Sequence, residues 1–230
     1  MDWGKKLSAD AITKIIKGPY DVAGVLAFKD GDRMCHETAI KWINAFWHKA
    51  DRVFFGRASD KGYGINRLCF LEFGKSQKCI HAHYVAQSIF DPVAFSAIMN
   101  VLWHTFREDT AEIADNWTAP IHDKLAVAEY VTKEMWRFRD DANVINCNHH
   151  NLDAKAYKSF DAEARMLRLA NHIDADLLEQ ALDKVPVHII KIREQFEVRQ
   201  KAKAAKDRER AQRIGPTMAS LRQILLSRHS

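Results

Sequence analysis

Two short apolar runs, Arg67-Leu-Cys-Phe-Leu-Glu72 and Ile80-His-Ala-His-Tyr-Val85, flank a turn-forming segment from Gly74 to Cys79. Runs of this length and composition, separated by Gly, Lys and Ser, predict a β-hairpin. Because successive strand side chains point to opposite faces, His81 and His83 share one face while Ala82 takes the other. With Glu72 opposite His81, all three polar side chains face the same way. Two imidazoles and a carboxylate on one face form a candidate clamp for a metal ion. A lone His-x-His in a strand is more often incidental, so the reading depends on what lies elsewhere in the chain.

The elements around the hairpin predict an α+β fold. A short helix is expected over Ala9–Lys17, with Ser8 as its N-cap and Gly18-Pro19 after it. Val22–Phe28 reads as a strand, and Glu37–Lys49 as a helix with Ile40, Ile43, Phe46 and Trp47 on its apolar stripe. Arg52–Arg57 reads as a second strand. Asp91-Pro92 predicts a helix start and a helix to Phe106. Asn116–Pro120 reads as irregular, and Leu125–Met135 as a further helix. The expected architecture is a largely antiparallel sheet flanked by helices in positions 1–150. Positions 151–230 form a helical, basic C-terminal region, with helices over Ala162–Ala170, Ala175–Leu182 and Val187–Arg213 and a break at Gly215-Pro216.

Charge is unevenly placed. The chain carries a net +5, yet Arg199–Arg213 alone holds seven Lys and Arg against Asp207 and Glu209. Lys201, Lys203, Lys206, Arg208, Arg210 and Arg213 are therefore candidate contacts to nucleic-acid phosphates. A solvated helix face is the plain alternative. No run reaches the roughly 20 apolar residues that span a bilayer, and the first residues lack a signal peptide's apolar core, so the expected address is the cytoplasm without a membrane partner. Cys35, Cys69, Cys79 and Cys147 form no CxxC pair, which argues against a disulfide framework.

In the helix expected over Leu125–Met135, Tyr130 and Lys133 lie three residues apart and project together, away from the stripe of Leu125, Ala128, Val131 and Met135. An acidic residue on one strand, His-x-His on its hairpin partner and Tyr-x-x-Lys on a later helix resemble the His-hydrophobe-His (HUH) endonucleases that initiate rolling-circle replication. The resemblance covers about Val22 to Met135. It implies that Glu72, His81 and His83 hold Mg²⁺ or Mn²⁺, and that Tyr130 attacks single-stranded DNA at an origin nick site or hairpin, leaving a 5′-phosphotyrosine. Lys133 would steady charge on the phosphate. The order of motifs matches replication initiators, and Ala126 and Glu134, four residues either side of Tyr130, make this a single-tyrosine pattern.

Three alternatives stay open. A single-tyrosine transposase of the same superfamily shares the motif order, and a non-catalytic DNA-binding repressor would keep the fold and the basic tail. A zinc site could combine Cys79, His81 and His83 with Cys147, His149 and His150, although the spacing matches no familiar ligand pattern. Gly74-Lys75-Ser76 lacks the first Gly of a phosphate loop, Cys69 standing there, so unwinding would fall to a partner helicase.

Overall fold

The computed structural model describes residues 3–73, 79–107, 117–134 and 168–227. The elements among them are α1 (Trp3–Lys17), β1 (Val22–Ala27), α2 (His36–Phe55), a 3₁₀ turn (Gly56–Lys61), β2 (Arg67–Glu72), β3 (His81–Ala86), α3 (Pro92–His104), β4 (Thr118–Pro120), α4 (Lys124–Val131) and α5 (Ala175–Ser227). The four strands form one sheet in the order β2-β3-β1-β4, with every neighbouring pair antiparallel. The fold is thus α+β, as expected. The chain divides into two compact units, Met1–Ile189 and Ile190–Ser230, and the domain boundary expected near position 150 lies outside the described residues.

Alternation along the strands splits the first unit's core in two. Cys69, Leu71, Ala82, Tyr84, Val22 and Leu26 point to the α2 side, where they meet Phe46, Trp47, Phe54 and Trp103. Leu68, Phe70, Val85 and Ala23 point the other way, onto Ile15 and Tyr20 and onto Ala128 and Val131 of α4. Strands buried on both faces read as continuous apolar runs, as Val22–Ala27 does.

Arg52–Arg57 is not a strand. Helix α2 continues to Phe55, because Ile43, Phe46, Trp47, Ala50, Val53 and Phe54 extend a helical stripe and all are buried. Burial on the sheet overrides the strand preference of Val53-Phe54-Phe55. The helix stops at Gly56, whose φ of 59° suits glycine and whose N–H donates to the Arg52 carbonyl. Near its end, the Asp51 carboxylate accepts from Arg67 Nη1 at 2.9 and 3.0 Å and from the Ile65 N–H at 2.7 Å. The Arg67 guanidinium lies 4.4 Å from the Trp47 ring centroid. A Cβ on Gly64 would come within 2.9 Å of the Asp51 carboxylate, so this buried pair needs a glycine there.

Part of the stretch expected to be irregular is β4, whose Thr118–Pro120 pairs with β1. Three residues are too few for a periodic signal, and Pro120 is tolerated because β4 lies at the sheet edge. The Thr118 hydroxyl lies 2.6 Å from the Tyr84 hydroxyl, and a Cβ on Gly24 would stand 2.6 Å from both side chains. Asp91 caps α3 by accepting from the Ala94 N–H at 2.9 Å, although the helix ends at His104 rather than Phe106. Helix α1 starts at Trp3, so Ser8 is inside it, and the Ser8 hydroxyl lies 3.5 Å from that of Thr132.

Helix α5 runs through both Pro186 and Pro216, so Gly215-Pro216 does not end it. A proline removes one intrahelical bond and crowds one carbonyl, and the turns on either side continue the helix past it. Ala181 and Val185 of α5 are buried against Ala97 and Val101 of α3. Residues 162–167 of the helix expected over Ala162–Ala170 lie outside the described residues. Among the described residues, no helix is long and apolar enough to cross a membrane.

Candidate metal centre

The β2–β3 register places Glu72 directly opposite His81 and Phe70 opposite His83. Glu72, His81 and His83 therefore project from the same face, the one that α4 covers, as the hairpin pattern predicts. His81 Nε2 lies 3.3 Å and His83 Nε2 3.1 Å from Glu72 Oε2. The two imidazole centroids are 4.9 Å apart with planes at 84°. Their candidate ligand atoms all fall within 4.8 Å of one another.

The hydrogen bonds bear on whether these residues suit a cation. His81 Nδ1 donates to the Cys79 carbonyl at 2.9 Å, which turns Nε2 toward the Glu72 carboxylate. Among the described residues, Glu72 Oε1 and His83 Nδ1 are buried without a hydrogen-bond partner. Burial pushes the His83 imidazole down to about 4, so it is neutral, the form that ligates metals. Burial alone would raise the Glu72 carboxyl, but hydrogen bonds from His81, His83 and Lys133 outweigh it and hold the group well below the ordinary carboxylate range. One ionised carboxylate and two converging imidazoles form a group that could hold a metal ion.

Helix α4 brings the remaining residues. Asp123 caps it by accepting from the Ala126 N–H at 3.0 Å, and its buried Ala128 and Val131 seat it on Leu68, Phe70 and Val85. Tyr130, half-buried on the same cluster, sets its ring 4.9 Å from the His83 ring at 72°. Lys133 lies just past the helix, in a turn where its N–H donates to the Tyr130 carbonyl at 3.4 Å. Its ammonium is 2.7 Å from Glu72 Oε2, 3.4 Å from His83 Nε2 and 3.8 Å from the Tyr130 ring centroid. All five residues that the sequence singled out for chemistry thus meet at one place.

Glu134 was not anticipated as part of this arrangement. Its buried carboxylate accepts from the Phe73 N–H at 3.2 Å, tying the end of α4 to the residue after Glu72. A single acid in a turn carries no sequence signal for such a role. Cys79 is exposed and free and is absent from the cluster. Cys147, His149 and His150 lie outside the described residues, as do Gly74, Lys75 and Ser76. Lys201, Lys203, Lys206, Arg208 and Arg210 are exposed on α5 in the second unit, and the backbone of Arg213 continues that helix. No family model, curated protein or solved structure matches the chain.

Proposed function

We propose that this protein is a metal-dependent enzyme that nicks and rejoins single-stranded DNA through Tyr130, as an initiator of rolling-circle replication of a phage or plasmid. The observation that carries the reading is the meeting of Tyr130 and Lys133 with Glu72, His81 and His83, since a tyrosine beside a cation clamp is the minimum a phosphotyrosine mechanism requires. Held by Glu72, His81 and His83, Mg²⁺ or Mn²⁺ would supply positive charge to a scissile phosphate.

The Tyr130 hydroxyl oxygen attacks phosphorus, the phosphorus–oxygen bond to the 3′ side breaks, and a free 3′-hydroxyl leaves. The 5′ end stays on Tyr130 as a phosphodiester. That bond keeps the energy of the cleaved linkage, so attack by a 3′-hydroxyl reverses the step and rejoins the strand. Lys133, placed between Glu72 and the Tyr130 ring, is positioned to neutralise charge on the phosphate oxygens.

Incubating the protein with single-stranded origin DNA and Mn²⁺ is expected to yield an adduct that survives SDS, lost in Tyr130→Phe and on chelation. An adduct of undiminished yield in Tyr130→Phe removes that residue as nucleophile. DNA binding that ignores EDTA, without cleavage under any divalent ion, selects a repressor instead.

A further inference from the structure

Between Arg199 and Arg210, helix α5 places six basic residues in two sets. At 3.6 residues per turn, Arg199, Lys203, Lys206 and Arg210 fall within an arc of about 60°. Their spacing of four, three and four residues repeats along one side of the helix for about 17 Å. All four are exposed. Lys201 and Arg208 are also exposed, but they lie about 180° away, on the opposite side. Asp207 and Glu209, the acids of this segment, fall outside the arc.

We infer that Arg199, Lys203, Lys206 and Arg210 form a backbone-binding rail for double-stranded DNA, separate from the site that takes a single strand. This rests on the reading of the protein as a DNA-processing enzyme and adds a second contact of different specificity. A charge run spread evenly around a helix is the expected form of a solvated surface. Four cations aligned on one side, with Asp207 and Glu209 flanking rather than interrupting the line, make a linear electrostatic match for a polyanion.

Which polyanion follows from what the segment lacks. From Arg199 to Arg213 there is no Phe, Tyr or Trp, whereas single strands are held largely by stacking on aromatic rings. Alanine is the segment's one apolar residue type, so it offers no large apolar face for a membrane surface. A duplex asks for neither. It carries a charge about every 1.7 Å of axis, so about ten phosphates lie around a length of duplex matched to the rail, and counterions are released as each is neutralised. Contacts of this kind position a protein without reading sequence.

The test compares two variants of equal charge in the full-length protein: K203Q/K206Q on the rail and K201Q/R208Q opposite it. Glutamine keeps helix propensity near that of lysine and arginine, and circular dichroism checks that helicity is retained. Binding of a 20-base-pair duplex of arbitrary sequence is followed by fluorescence anisotropy from 50 to 300 mM salt. The rail pair is expected to lower the slope of log K against log salt by about 2, from about 0.9 per lost contact. The opposite pair is expected to leave it within about 0.5. Equal effects of the two pairs, or tighter binding of the wild type to a 20-nucleotide single strand or to polyglutamate than to the duplex, would overturn the rail. The SDS-resistant adduct with single-stranded DNA is read on the same preparations. Adduct formation with an unchanged slope removes the rail and leaves nicking intact, and a lowered slope without any adduct does the reverse.

Discussion

At the scale of single residues, His83 makes the site's chemistry depend on folding. Its imidazole is buried and pushed down to about 4 from 6.5, so between those values the unfolded chain binds a proton that the folded protein excludes. The unfolded state then gains from each fall in pH, and stability is lost as pH drops from about 6.5 to about 4, by up to roughly 3 kcal/mol. Glu72 adds to the loss only below the ordinary carboxylate value of 4.5, because its folded carboxyl resists protonation. Urea unfolding of the metal-free protein at a series of pH values is expected to show this slope, and His83→Gln to flatten it. An equal slope in the two proteins would assign the dependence to other groups.

Among elements, the contact that ties α2 to β2 is the buried pair of Asp51 and Arg67. It joins the last turns of the helix to the first residue of β2, and Ile65 donates to the same carboxylate. Removing one partner leaves a charge buried without compensation, so Asp51→Ala is expected to cost about 3 to 5 kcal/mol in denaturant unfolding. Replacing both, as in D51A/R67M, is expected to recover part of that cost, since the second change removes the stranded guanidinium. A double variant no more stable than the single would show that the pair acts through shape rather than charge. Helix α4 is held differently, by Ala128 and Val131 on the sheet and by Glu134 on the Phe73 N–H, and this seating places Tyr130 against His83.

For the molecule as a whole, Glu72 lies on β2, His81 and His83 on β3, and Lys133 just beyond α4. An ion bound there ties β2 to β3 within the hairpin, on the face where α4 carries Tyr130. A ligand that binds only the folded state stabilises it by mass action. Mn²⁺ at 100 times its dissociation constant is thus expected to add about 2.7 kcal/mol, read as a rise in the melting temperature. Glu72→Gln, losing roughly 100-fold in affinity, is expected to keep only about 0.4 kcal/mol of that at the same concentration. An equal rise in Glu72→Gln would place the ion elsewhere.

The hairpin was legible because period-two alternation, a turn segment and the pairing of Glu72 with His81 are all local, and a register of this kind fixes the face of every side chain on it. The Asp91 cap and the apolar run of β1 were readable for the same reason. Sequence could not decide Arg52–Arg57, where a helical stripe and a strand-forming composition coincide and only burial on the sheet selects one. It could not find β4, whose partner β1 lies about a hundred residues earlier, nor Glu134, whose role exists only because the chain returns to Phe73. The sequence by itself singled out five residues as candidates for the site and determined which way the hairpin presents three of them. The tertiary structure alone decided that α4 docks on that face and sets Tyr130 and Lys133 beside the clamp, because helix docking depends on long-range packing that no local period encodes.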